Sequence, residues 1–279
     1  MRGPAGRTAS LTVNARVGIV AAVALAAAGA TLWVPPFAQD PAYHAFADRR
    51  TVLGIPNFAD VVSNAAFLVV GALGLAFVAG RRGRALLADL PQRLPYLAFF
   101  AGLALTAAGS AFYHWAPANG TLVWDRLALT APLMALTAAF VADRIHGRIG
   151  AFVVLPLLLV LGSAGVGHWH FSEIAGQGDL RGYVLVQVLP LLAIPLICVL
   201  FPGRQTHGGY VLAMFLWYAA ARVCEVFDRE VFGMLGGLVS GHALKHLLAA
   251  GATAMVLAML RAAALPTPGR VQAHVGRGR

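Results

Sequence analysis

The sequence predicts an all-α fold: a polytopic transmembrane helix bundle with a seven-helix core and one extra N-terminal helix. Three observations predict it. Of 279 residues, 59% are hydrophobic and only 11% charged, with a mean hydropathy of +0.74, whereas a soluble domain usually carries about a quarter charged residues. Apolar runs of membrane-spanning length recur eight times. The basic residues gather in alternate loops, the pattern that orients helices in a bilayer.

The runs cover roughly residues 17–37, 58–80, 95–115, 123–142, 149–167, 183–201, 210–227 and 239–260. Each approaches the length needed to cross the hydrocarbon core, and Pro, Gly, Arg or Asp punctuate the separators. The first follows Arg2, Arg7 and Arg16, and its Ala-Ala-Ala-Gly-Ala stretch at 26–30 mimics a signal-peptide cleavage site. A run of that length exceeds the usual signal core, so it reads as a retained helix, with cleavage as the alternative. Strands are excluded, because an open sheet cannot satisfy its backbone in lipid and no alternating barrel pattern appears.

Charge distribution tests the helix count. With the N-terminus inside, the inside segments carry Arg2, Arg7, Arg16, Arg81, Arg82, Arg84, Arg93, Arg144, Arg148, Arg204, Arg261, Arg270, Arg277 and Arg279. The outside loops carry Arg49, Arg50, Arg181 and Arg229. A bias of 14 to 4 supports eight helices with both ends cytoplasmic. Of the 21 basic residues only Lys245 is lysine. That fits a GC-rich bacterial genome, and hence a bacterial inner membrane.

The net charge of +10 is explained by these topology signals, so no nucleic-acid partner is expected. Cys198 and Cys224 lie inside apolar runs and read as small core residues. No internal repeat suggests an inverted-repeat transporter. The organisation that follows is an N-terminal tail, extra helix and outer loop (1–56), a seven-helix core (57–260) and a disordered basic tail (261–279).

Ionisable groups inside a membrane are costly, so each needs a reason. Ser110 and His114 lie four apart near the outer end of the third run. Asp125 opens the fourth, after a short turn-rich loop (Pro117, Asn119-Gly120), and His242 and His246 lie four apart at the outer start of the eighth. Residues four apart share a helix face, so both histidines reach one metal ion, with His114 as the natural third ligand. Three protein ligands and one open position form the usual catalytic zinc arrangement. The bland alternative is packing, since a lone His-x-x-x-His is common in helices. Agreement in depth among five polar residues on three helices argues against it.

Ser-x-x-x-His on one helix, Asp opening the next and His-x-x-x-His on the last resemble the alkaline ceramidase family. The pattern also marks the wider superfamily of adiponectin/progestin-type receptors and lipid-remodelling proteins of GPI-anchor processing. The helix beginning Asn57-Phe-Ala-Asp-Val-Val-Ser-Asn is similar to the first core helix of ceramidases, with Ser63-Asn64 as its signature pair. The resemblance spans roughly 57–250. It departs where ceramidases carry an acidic, aromatic calcium cluster: here the stretch reads Arg-Arg-Thr-Val-Leu-Gly-Ile-Pro-Asn-Phe. Calcium (Ca2+) is therefore doubtful, with Asp48, Asn57 and Asp60 forming only a thin remnant.

The implied activity is zinc-dependent hydrolysis of the amide bond in ceramide or a related N-acyl lipid, giving a fatty acid and a sphingoid base. The lipid substrate enters from the membrane and the site faces the extracytoplasmic side. Zinc (Zn2+) on His114, His242 and His246 would lower the pKa of its bound water, Asp125 would act as general base and acid, and Ser110 would donate to the oxyanion. The alternatives are a seven-helix receptor or sensor with structural zinc, and a metal- or proton-coupled transporter. His168, His170 and Glu173 read as outer-loop residues at the pocket mouth. Arg222 and Glu225 read as an intrahelical ion pair. Lys245, on another face than His246, either snorkels outward or pairs with a buried acid.

Overall fold

The computed structural model describes residues 11–203 and 205–265. The N-terminal tail with Arg2 and Arg7, Arg204, and the basic tail from 266 onward lie outside the described residues. The chain forms helices α1 (Val13–Ala30), α2 (Phe58–Val62), α3 (Ala65–Ala79), α4 (Arg81–Leu86), α5 (Leu90–Trp115) and α6 (Asn119–Arg144). There follow α7 (Gly147–Ile149), a π-helical stretch (Gly150–Val154), α8 (Leu155–Ile174), α9 (Arg181–Leu200), α10 (Gly208–Val226), α11 (Asp228–Met234) and α12 (Gly241–Ala263). Among the described residues there is no strand, and eight helical segments are long and apolar enough to cross a membrane.

Four differences from the sequence expectation bear on the site and its surroundings. The first span's α-helix stops at Ala30 rather than near Phe37: Thr31–Trp33 tighten into i→i−3 turns, and Pro35 and Pro36, without an N–H, cannot carry the helix on. The second breaks at Ser63-Asn64, where both side chains bond back to the carbonyl of Asp60. The fifth runs on to Ile174, so His168, His170 and Glu173 belong to a helix and not to a loop. Asn119-Gly120 opens α6, leaving only Ala116–Ala118 as the connection.

The antiparallel pair α5 and α6 forms the centre, flanked by α3 on one side and α8 and α9 on the other; α12 packs against α3 and α10. Helix α1 leans on α9 and buries no residue, so it stands outside the bundle as an extra helix. Glycines set the closest approach within the central pair. A Cβ on Gly102 would lie 2.7 Å from the Pro132 ring, and one on Gly109 would lie 2.6 Å from the Trp124 carbonyl. That contact brings the first turns of α6 level with the last turns of α5.

One end of the bundle joins Arg16 to Leu200 and Arg144 to Phe201 and Thr206. The opposite end is covered by residues 31–57, which drape across it as a strap. Its anchors include a backbone bond from the Leu180 amide to the Phe37 carbonyl (3.0 Å) and a donation from the Ala47 amide to Asp228 (2.9 Å).

Candidate metal centre and its cavity

The strap end holds the polar cluster. Ser240 caps α12 by accepting from the Ala243 amide at 2.9 Å, and its hydroxyl donates to Asp60 at 2.6 Å. The Asp228 carboxylate accepts the His242 amide at 2.8 Å. These bonds satisfy amides that α12 leaves open at its N-terminus and lock its first turn. A Cβ on Gly241 would lie 2.2 Å from the Cys224 carbonyl, so glycine also lets α12 seat against α10.

His114, His242 and His246 are buried, and their ligand nitrogens lie within 4.8 Å of one another. Nε2 of His114 and Nε2 of His242 are 3.2 Å apart. Two nitrogens sharing a tetrahedral zinc at about 2.0–2.1 Å stand about 3.3 Å apart, so the pair is spaced as such ligands are. Nδ1 of His246 meets the Ser63 hydroxyl at 2.8 Å, while its buried Nε2 has no hydrogen-bond partner. An orphaned ring nitrogen facing two others is the donor set a metal ion completes. The residues present therefore fit a metal ion, and the cluster could hold one.

Ser110 is buried one turn before His114, and Asp125 is half-buried in the second turn of α6. Both line a cavity of about 90 Å³ together with His246, Lys245, Glu225 and Tyr43, and the hydroxyl interacts with the carboxylate. Phe67, Leu129, Gln187, Tyr218 and Ala249 are shared with a second, apolar cavity of about 120 Å³ deeper in the bundle. The site is a polar head on an apolar tail.

The five sequence-chosen residues are thus brought to one place. Others are not. His168 pairs with Asp179 at 3.2 Å, and Glu173 accepts from Trp169 Nε1 at 3.0 Å and from the Gln39 amide, so both hold structure beside the strap. Of the calcium remnant, Asp48 is bound by Arg50 at 2.7 and 2.9 Å, Asn57 donates to the His114 carbonyl, and Asp60 accepts from Ser240. Arg222 and Glu225 form the expected pair, and Lys245 joins it at 3.0 Å.

Sequence reasoning missed several neighbours. Phe46 of the strap lies with its ring centroid 4.7 Å from His114 and 4.5 Å from His242. Its only sequence signal was an aromatic in a loop. Arg126 is buried with its guanidinium 3.9 Å over Trp169 and 4.4 Å over Tyr183. Comparison with known proteins finds no matching family model, no matching curated protein and no matching solved structure.

Proposed function

We propose that the chain is a membrane hydrolase of the alkaline ceramidase type, cleaving the amide bond of ceramide or a related N-acyl lipid with a zinc ion held by His114, His242 and His246. One observation carries the reading: a cluster of three buried histidine nitrogens reaches, through His246, a cavity that Asp125 and Ser110 also line and that continues into an apolar one. When bound, zinc supplies a Lewis acid that makes water nucleophilic near neutral pH.

The chain's own residues do the rest. Asp125 takes a proton from the attacking water and returns it to the departing amine, so one carboxylate serves as base and then acid. Ser110 donates to the carbonyl oxygen as negative charge develops there. The apolar cavity receives the acyl chain and holds the amide against Asp125. Ser63 fixes the ring of His246, and Phe46 closes the strap side above His114 and His242. The basic-residue bias orients this end toward the extracytoplasmic side.

A second reading has one specific support. The same Phe46 ring covers the histidines from the strap side, as expected of a sensor whose metal is structural. Turnover separates the two. Purified protein given an N-acyl sphingoid lipid releases fatty acid if the hydrolase reading holds, and none if the metal is structural.

A further inference from the structure

The proposed chemistry leaves Lys245, a cation in the cavity, without a task. Lys245 stands between the two histidines of α12, and its ammonium turns inward instead of snorkelling to water. Nζ lies 3.0 Å from Glu225 Oε1 and 3.2 Å from His242 Nε2. Charge balance alone does not account for it, because Glu225 already has Arg222 as a partner one turn earlier on α10. Lys245, Glu225, Arg222, Ser110 and Asp125 all line the cavity that leads to the apolar one.

A donor inventory gives the lysine a role. An ammonium has three N–H groups. One goes to Glu225, and the second faces the His242 nitrogen that a metal ion would take. The third has no partner among the described residues. Ser110 has a single proton, which interacts with Asp125 until charge develops on the carbonyl oxygen, so the acyl oxygen of a ligand that is only bound needs another donor. Lys245 has donors to spare, beside the histidines and at the head of an apolar cavity.

We propose that Lys245, held by Glu225, anchors the acyl oxygen of the ligand, so that the cavity takes long-chain carbonyl and carboxylate lipids with their tails in the apolar space lined by Phe67, Leu129 and Tyr218. This rests on reading the site as one for acyl lipids, but it concerns binding and not turnover. A cation in a low-dielectric pocket favours an ionised or strongly dipolar oxygen over a neutral alcohol of the same chain length.

The test is binding of palmitate and of hexadecanol to the purified full-length chain in detergent, after chelation and again after zinc is restored. Lys245→Met removes the ammonium; Lys245→Met with Glu225→Gln removes both charges and keeps the volume, which guards against simple misfolding. Wild type should bind palmitate more tightly than hexadecanol with or without metal. Both variants should lose about ten- to a hundredfold in palmitate affinity, with hexadecanol affinity and zinc content unchanged. Equal palmitate binding by wild type and the double variant overturns the proposal. So does a parallel loss for hexadecanol, or a wild type that does not discriminate the two. Turnover by a chain whose double variant still holds palmitate removes the anchor and leaves the hydrolase. Lysine-dependent binding without turnover does the reverse.

Discussion

The hydroxyl of Ser63 lies 2.8 Å from Nδ1 of His246 and 3.2 Å from the carbonyl of Asp60. The hydroxyl proton goes to that carbonyl, so the oxygen accepts from Nδ1–H. This fixes the tautomer that leaves the lone pair on Nε2, the nitrogen facing His114 and His242. The break between α2 and α3 thus serves the site directly.

Ser63→Ala should therefore weaken zinc binding by about 10–100-fold, the usual cost of losing the group that orients a ligating histidine. Competition with a metal-indicator dye measures it. An unchanged affinity would show that the serine only shapes the kink.

His242→Ala should remove most of the bound metal, because two histidines remain where three converge. His146→Ala, at the opposite end of the bundle, should leave about one zinc per chain. Metal content of the purified proteins decides this, and equal retention in both variants would remove the ligand assignment.

The strap should respond to acid. Burial alone raises the Asp48 carboxyl, but hydrogen bonds from Arg50 and the Ala59 amide outweigh it and hold its pKa below the ordinary 3.8. Hydrogen bonding from Arg181 holds Asp179 far below that value. Carboxylates with depressed pKa values contribute their full stability above the unfolded value and lose it as pH falls through the folded one. The melting midpoint attributable to these groups should be flat above about pH 4 and drop below it, and Asp48→Asn should take away part of that drop. An acid-induced drop of the same size in Asp48→Asn would mean that this carboxylate does not hold the strap.

A reporter fused after Arg261 should lie in the cytoplasm, and one inserted near Gly176 outside, as the basic-residue bias requires. The opposite pair would place the histidines at the cytoplasmic face.

The spans were legible because lipid permits few alternatives: an apolar run of about 20 residues can only be a helix or part of a closed barrel. The five polar positions were legible for the same reason, since His114, Asp125 and His246 stand where charge and polarity are costly. The strap was not. Residues 31–57 have no periodicity, and their order comes from distant partners such as Asp228 and Leu180, which no local pattern announces. Of the two readings of Lys245, pairing with a buried acid is the one the structure bears out; the sequence could not choose it, because the contacts to Glu225 and His242 depend on how α10 and α12 pack.

Release of fatty acid from an N-acyl sphingoid lipid by the purified protein decides whether the histidine cluster is catalytic. Wild type should turn over, chelation should abolish the activity and zinc should restore it. Asp125→Asn should keep its zinc and lose about 10²–10⁴-fold in rate, the usual contribution of general acid–base catalysis. A zinc-loaded wild type that releases no fatty acid would mean the protein is not an amide hydrolase of this kind, and an Asp125→Asn protein that works as well as wild type would strip Asp125 of its role as base and acid.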